Sequence, residues 1–289
     1  IRKNLIDHNN IDAIIGLPAN IFFGTGIPTI IMVLRKNKKD SDVLIIDASK
    51  GFEKDGKNNK LRACDIKRIV DAYKERPEKI EKFARRVSRA EIIQNDYNLN
   101  IPRYVDSSEK AESWDIYASM FGGIPEAELQ DLSAYWTAFP HLKAALFSPD
   151  NEAYCRLNVA NLKNAVLSHP DVVAFKTAFQ NAFGDFDAYL KSALIDGMTQ
   201  LNAAGEEERL SREIFARLAG IPLVDRYAAY QLLDDDWKKI AIDIEIIQTE
   251  GFAATKQVDP NMVLKKDAEV QDGWVGHVLP FELVQSVKM

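Results

Sequence analysis

The stretch that decides the fold lies at residues 14–34 and reads IIGLPANIFFGTGIPTIIMVL. Two apolar runs, residues 11–17 and 27–34, are rich in β-branched side chains and lack alternation of polar and apolar residues. Strands that are covered on both faces of an α/β sheet have this pattern. Pro18 ends the first run, and a loop with two phenylalanines and two glycines follows it. We therefore predict two buried strands joined by an aromatic loop.

Further elements are expected in the next sixty residues. Residues 43–47 predict a third short strand, and the Lys-, Asn- and Gly-rich residues 51–60 predict a mobile loop. Asp65 is expected to cap a helix over residues 66–76, whose apolar side chains recur at helical spacing. Residues 83–93 are compatible with either a strand or a helix.

The chain beyond Asp106 is predicted to be mainly helical. Seven segments combine spaced apolar residues with capping or helix-breaking residues, namely residues 125–138, 153–167, 171–183, 186–197, 211–219, 224–234 and 236–250. Such helices have to bury their apolar stripes against one another or against a partner. Asp234, Asp235 and Asp236 are predicted to cap a break between the last two helices.

Composition restricts the class of protein. The chain has 289 residues, of which 46% are hydrophobic and 28% charged, as is ordinary for a soluble folded protein. It contains no run of about 18 uncharged apolar residues and does not begin with a secretory signal, so we expect a cytoplasmic protein without a membrane partner. The two cysteines and four histidines show no metal-ligand spacing, and no metal site is predicted.

Charge is distributed unevenly along the chain. The net charge is −6, yet residues 50–103 carry 15 Lys and Arg against 9 Asp and Glu, whereas residues 104–289 carry 16 against 29. A basic excess of this kind suits a strip that faces phosphates. A solvated charged face is the commoner explanation of such an excess, and the sequence leaves both interpretations open.

Four stretches together resemble the methylation subunits of type I restriction-modification systems, which are DNA adenine N6-methyltransferases. Besides residues 14–34 they are residues 47–52 (DASKGF), 98–105 (NLNIPRYV) and 273–281 (GWVGHVLPF). They occur in the order of that family and span most of the chain. The resemblance implies an α/β remnant, consisting of the terminal strands of a methyltransferase Rossmann-like sheet, followed by a mainly α-helical domain.

The same resemblance implies a division into three parts. Residues 1–48 would form the last strands of the methyltransferase catalytic domain, residues 49–105 a basic connecting segment, and residues 106–289 a helical C-terminal domain for subunit assembly. The partners implied are the specificity subunit and the restriction subunit of a type I complex, and DNA. An uncovered strand edge in residues 1–48 would also let the fragment associate with itself.

Catalysis is expected to depend on sequence outside these residues. In the resembling family the S-adenosylmethionine pocket and an Asn-Pro-Pro-Phe motif precede this strand pair, and the 289 residues contain neither. We therefore expect the chain to be the C-terminal part of a longer subunit, which methylates adenine N6 in DNA with S-adenosylmethionine. By itself the fragment is expected to be inactive, without catalytic residues and without a bound cofactor.

One side chain is expected to touch the substrate base. In adenine methyltransferases of this kind an aromatic residue of the corresponding loop stacks on the target adenine after it leaves the duplex. Phe22 fits that position, and Phe23 is expected to pack inward. Phe23, Gly24, Thr25 and Gly26 are candidate contacts with the base or with DNA, although the glycines are explained more simply by a sharp turn. Alternatively, both rings seal the strand pair against the sheet.

A second class of function is also compatible with the sequence. The acidic, helix-rich remainder would suit a stand-alone adaptor that binds other proteins and performs no chemistry. The buried-type strand pair disfavours this hypothesis, because such strands need a sheet around them.

Overall fold

The structure, a computed structural model, describes residues 1–108, 114–265, 268–278 and 280. Two compact units divide the chain, Ile1–Trp114 and Asp115–Met289. The division falls eight residues beyond Asp106, where the sequence predicts the start of the helical part. Each unit is described by itself below.

The first unit is built around one mixed sheet. Its helices and strands in chain order are α1 (Arg2–Asp7), β1 (Ile11–Gly16), β2 (Ile30–Leu34), β3 (Val43–Asp47), β4 (Glu53–Asp55), β5 (Asn58–Lys60), α2 (Ala63–Glu75), β6 (Lys79–Ile80), β7 (Ala84–Val87) and α3 (Arg89–Gln94). The sheet has the order β2-β1-β3-β7-β6. Strands β1 and β3 are parallel, whereas β2 and β7 run antiparallel to their neighbours β1 and β3.

Strands β1 and β3 are buried at every position, as their unbroken apolar runs predict. On one face of the sheet, Ile15 and Leu44 pack with Ile69 of α2. On the other face, Ile14 and Ile45 pack with residues of α1 and α3. The two central strands therefore lie between helical layers, which explains why their sequence shows no alternation.

Strand β2 differs from the prediction of a strand buried on both faces. The prediction that β2 is buried is wrong. Ile30 is 55% exposed, Ile31 47%, Met32 38% and Leu34 56%. The strand lies at the edge of the sheet, and no described strand pairs with its outer side. An apolar edge of this kind is a template for pairing with another strand.

Three local predictions between residues 49 and 105 are corrected by the structure. Residues 51–60 contain the hairpin β4–β5 instead of an irregular loop. Helix α2 begins at Ala63, and Asp65 lies inside its first turn, where its carboxylate accepts a hydrogen bond from the Arg62 backbone N–H at 3.0 Å. The ambiguous residues 83–93 form both a strand, β7, and a helix, α3. Because β6 and β7 belong to the central sheet, residues 49–105 form part of the first unit and do not serve only as a connection to the second.

The second unit combines helices with two small sheets. Its described helices and strands in chain order are α4 (Ile116–Phe121), β8 (Ile124–Pro125), α5 (Glu126–Asp131), α6 (Ser133–Ala138), α7 (Leu142–Leu146), β9 (Phe147–Pro149), β10 (Tyr154–Leu157), α8 (Leu162–Ser168), α9 (Pro170–Phe183), α10 (Phe186–Leu190), α11 (Ala203–Leu218), α12 (Arg226–Glu250), β11 (Val258–Lys265) and β12 (Ala268–Gly276). Strands β11 and β12 form an antiparallel pair.

Helix α12 runs without interruption through the three aspartates that were expected to mark a break. Asp234 is buried, and its carboxylate accepts hydrogen bonds from Gln231 and Lys238. Asp236 pairs with Lys239. Carboxylates followed three or four positions later by lysines stabilise a helix, so the charge cluster continues the helix here. The predicted helix over residues 153–167 is also partly wrong, because its beginning forms β10.

Candidate nucleic-acid interface

The loop of residues 17–29 lies at the carboxyl end of β1. Because β1 and β3 are parallel, the carboxyl end of β3 with Asp47 meets the same edge of the sheet. The Ala48 backbone N–H donates to the Gly16 carbonyl at 2.9 Å, which joins the two strand ends. Ligands of α/β sheets bind at this edge. The sheet therefore presents the aromatic loop where a substrate would lie.

Local hydrogen bonds give the loop a defined shape. The Leu17 N–H donates to the Thr29 carbonyl at 2.9 Å and closes the base of the loop, and the Thr25 N–H donates to the Phe22 carbonyl at 3.1 Å. Gly24, with φ of 75°, occupies the third position of the turn from Phe22 to Thr25, where a positive φ favours glycine. The sharp-turn explanation is thus confirmed for Gly24. Gly26 has no positive φ.

Both phenylalanine rings face solvent. Phe23 is 96% exposed and Phe22 is 53% exposed, so the expectation that Phe23 packs inward is wrong. The alternative that both rings seal the strand pair also disagrees with these exposures. Ile21 packs against the core cluster in their place. The loop therefore offers two aromatic surfaces that the rest of this unit leaves uncovered.

Asn59 of the hairpin β4–β5 anchors the stem of the loop. Its Nδ2 donates to the Ala19 carbonyl at 2.7 Å, and its backbone N–H donates to the Asn20 carbonyl at 2.9 Å. Asn59 is 6% exposed, whereas the rest of the hairpin is exposed. The sequence analysis missed this residue, because a single Asn in a polar segment has no periodic pattern. Its role is visible only through contacts 40 positions away along the chain.

A polar cleft of about 350 Å³ adjoins the end of β3. Asp47 accepts hydrogen bonds there from the Ser49 N–H and the Ser107 hydroxyl. The Arg68 guanidinium lies over the Phe83 ring at 4.3 Å from its centroid. Burial alone would raise the pKa of Asp65, but the hydrogen bonds from Arg62 lower it, so this carboxylate stays ionised. Lys50 and Lys82 complete the basic part of the lining.

A buried charged network lies at the opposite, amino end of β1. Asp12 is fully buried and accepts hydrogen bonds from the Tyr73 hydroxyl at 2.7 Å and from Arg76 at 3.0 Å. Lys38 donates to the carbonyls of Ile11 and Asp42. Burial lowers the pKa of Lys38. These contacts tie β1 to the end of α2 and to the segment before β3, which identifies a structural cluster.

The second unit contains an apolar cavity of about 730 Å³ between α9, α10, α11 and α12. Trp237 and Leu210 are buried in its wall, whereas Leu232 on its rim is 69% exposed. Asp225 and Asp236 also line it. A cavity of this size and lining is typical of apolar binding sites.

Among the described residues, no group of three or more His, Cys, Asp or Glu side chains is arranged to hold a metal ion. Within the same residues, every helix is too short or too polar to span a membrane. In the fourth motif, Leu279 and Phe281 lie outside the described residues.

Comparison with known proteins identifies relatives of the first unit. The model of the family "N-6 DNA Methylase" matches residues 1–113. The chain is 41% identical over 117 residues to the methylase subunit of the type I restriction enzyme MpnII from Mycoplasma pneumoniae, covering 40% of this chain and 21% of that protein. It is 42% identical over 122 residues to the MjaVII methylase subunit from Methanocaldococcus jannaschii, again over 40% and 21%.

A solved structure, the type I restriction-modification methyltransferase subunit from Streptococcus thermophilus, is 53% identical, with a TM-score of 0.36, over 37% of this chain and 23% of that one. The chain spans about a fifth of the length of the curated relatives named above. Residues 1–113 are therefore similar to the N-6 DNA methylase family and to the corresponding part of the methylase subunits of type I restriction enzymes.

Proposed function

We propose that this chain works as the C-terminal part of a type I restriction-modification methylase subunit, which in its intact form transfers a methyl group from S-adenosylmethionine to adenine N6 in DNA. The strands of the first unit would be the terminal strands of the Rossmann-like catalytic sheet. The observation that carries the proposal is the anchored loop with two exposed rings, at the substrate edge of the sheet and inside residues 1–113. The intact enzyme would act in the cytoplasm.

The uncovered β2 supports a larger catalytic sheet. Its apolar side chains are about half exposed, and burying them would stabilise the sheet by about 1 kcal/mol each. Pairing with a further strand of the intact subunit would cover this edge. The stand-alone adaptor hypothesis offers no such neighbour.

We propose that the described residues of this chain do not hold S-adenosylmethionine. Among the described elements, β1 leads into the antiparallel β2 and β3 leads into the hairpin β4–β5. Neither strand end continues through a glycine-rich turn into a helix, the arrangement by which α/β sheets hold nucleotide cofactors. We place the cofactor pocket and the residues that hold the adenine amino group elsewhere in the intact subunit. Calorimetric titration of this chain with the cofactor tests the placement, and saturable micromolar binding would contradict it.

Phe22 is proposed to stack on the extruded adenine, with Phe23, Gly24, Thr25 and Gly26 near the base or the DNA. Replacing Phe22 by Ala should slow methylation by the intact subunit about 5- to 150-fold, because a stacked base contributes about 1 to 3 kcal/mol. Cofactor affinity should not change. Phe23→Ala is the matched control on the same loop, and a loss with Phe23→Ala alone would assign the stacking to the other ring.

The helical unit is proposed to dock the specificity subunit, and the restriction subunit would join the same complex. The apolar cavity between α9 and α12 supports this role, because it can take apolar side chains of another protein. The acidic charge of this part of the chain disfavours DNA as the alternative partner. Leu232→Glu places a charge on the rim and should weaken co-purification with the specificity subunit at least about tenfold. Ile242→Glu is the control, since Ile242 lies on the same helix, is 65% exposed and does not line the cavity. Equal effects of both variants would remove the cavity from the interface.

A further inference from the structure

The hairpin β4–β5 is attached directly to the stem of the aromatic loop. Its contacts are the two hydrogen bonds of Asn59 to the Ala19 and Asn20 carbonyls. Asn20 precedes Phe22 by two positions, and Lys57 precedes Asn59 by two positions. The hairpin is therefore held beside the place where the target base would stack.

The register of the hairpin shows which side chains share a face. Lys54 is the cross-strand partner of Asn59, so both side chains lie on the face that meets the loop stem. Lys57 follows Gly56, whose φ is 60°, in the turn at the tip. Lys60 stands opposite Glu53, with their charged groups 4.0 Å apart. Lys54 and Lys57 are thus the cations that the hairpin offers to a ligand near the loop.

The local charge favours an anion. Residues 50–62 carry five Lys and Arg against two Asp and Glu, in a chain whose net charge is −6. Lys50, Lys54 and Lys57 are exposed, and none of them forms an ion pair with another described residue. Lys50 also lines the polar cleft at the end of β3. Lys54, whose ammonium lies over the Phe52 ring, and Lys57 therefore offer two cations beside the loop stem, and Lys50 offers a third at the same carboxyl end of the sheet.

The distance to the target base follows from the connectivity. Two residues of chain span at most about 7 Å, and hydrogen-bonded backbones lie about 5 Å apart, so the backbones of Lys57 and Phe22 are within about 19 Å. Successive phosphates of one strand advance about 3.4 Å along the duplex axis. Lys57, and Lys54 as the cross-strand partner of Asn59, can thus reach phosphates within about six steps of the extruded nucleotide.

We propose that Lys50, Lys54 and Lys57 bind the phosphate backbone of DNA beside the target adenine. This inference rests on the proposed function, since it takes DNA as the substrate. It assigns to the hairpin a contact that is independent of base sequence and that places the duplex over the aromatic loop.

The test compares two triple variants of the intact methylase subunit in complex with its specificity subunit. K50Q/K54Q/K57Q removes the proposed contacts. K36Q/K39Q/K74Q removes three exposed lysines near the other end of the sheet, where β1 and β3 begin. Three lost phosphate contacts should make the slope of log Kd against log salt shallower by about 2.7, and the control should keep the parental slope. Phosphate ethylation should interfere with parental binding within about six steps of the target base, and this interference should disappear in the first variant.

The outcomes separate this inference from the proposed function. If the parental complex methylates DNA and both variants keep its salt slope, the hairpin does not bind phosphate, although the proposed function stands. The same conclusion follows if the first variant loses only its affinity for the specificity subunit, because the lysines would then face protein. A parental complex that binds no DNA would overturn both proposals.

Discussion

The exposed strand β2 should make this chain associate with itself, and one lysine should prevent it. Ile30, Ile31, Met32 and Leu34 are between 38% and 56% exposed. Covering their exposed parts is worth about 1 kcal/mol each, or about 8 kcal/mol for two copies that pair through this edge. Four new backbone hydrogen bonds add about 4 kcal/mol, and association costs at least about 4 kcal/mol. The dissociation constant of the dimer should then lie near about 1 µM at the strongest.

Ile31→Lys is the perturbation that tests this reasoning. In each copy it removes about 1 kcal/mol of apolar burial and adds about 2 kcal/mol for desolvating an unpaired charge, so the two copies together weaken the dimer by about 6 kcal/mol, or about 10⁴-fold. The control is Val70→Lys on α2, because Val70 is 38% exposed and does not belong to the sheet. Removing residues 1–48 is unsuitable as a test, since it would delete β1 and β3 from the core.

Sedimentation velocity between about 1 and 100 µM measures the effect. The parental chain and Val70→Lys should both shift towards dimer over this range, while Ile31→Lys remains monomeric. Circular dichroism of all three proteins checks that each is folded. A parental chain that stays monomeric at every concentration, with β2 amides protected from hydrogen exchange, would refute the reasoning, because some other part of the chain would then cover the edge.

Three further outcomes are expected. Asp12→Ala removes the buried acceptor of the Tyr73 hydroxyl and of the partly buried Arg76 guanidinium, and should lower the free energy of unfolding in urea by about 3 kcal/mol. An effect below about 1 kcal/mol would mean that the cluster relaxes. Asn59→Ala removes the hydrogen bond to the Ala19 carbonyl and should loosen the loop in the intact subunit. With 2-aminopurine at the target base, the fluorescence increase on extrusion of that base should then be smaller than in the control Asn58→Ala, and equal signals would contradict this. The hydrogen bond that the His277 imidazolium donates to the Asp259 carboxylate raises the pKa of His277, so its stabilisation is present below about pH 6.5 and is lost as the pH rises through the folded-state pKa. His277→Gln should flatten this dependence in thermal unfolding.

The central strands and the character of the loop could be predicted from the sequence. β1 and β3 are buried on both faces, and such strands consist of unbroken β-branched runs whatever their neighbours are. Gly24 could also be assigned to a turn, because a positive φ is a local property of the backbone. The resemblance of residues 14–34 to type I methylation subunits agrees with the family match over residues 1–113.

The exposure of side chains depended on tertiary structure. β2 is more apolar than β1, yet it is exposed, because burial depends on whether a neighbouring strand and helices are present. Phe23 points into solvent since Ile21 occupies the adjoining core position. A sequence specifies which residues can be buried, and packing decides which of them are.

Contacts between distant residues were likewise beyond the sequence. Asn59 bonds to Ala19 across 40 positions, and Asp12 bonds to Arg76 across 64 positions. A lone polar residue has no periodicity that reveals its partner, whereas the periodicity of apolar residues records only which side faces a core. The sequence alone therefore indicated the resemblance to type I methylation subunits and determined the buried strands of this protein. Tertiary structure decided where the aromatic loop is anchored and which lysines stand beside it, because hydrogen bonds between distant segments form only once the sheet has brought them together.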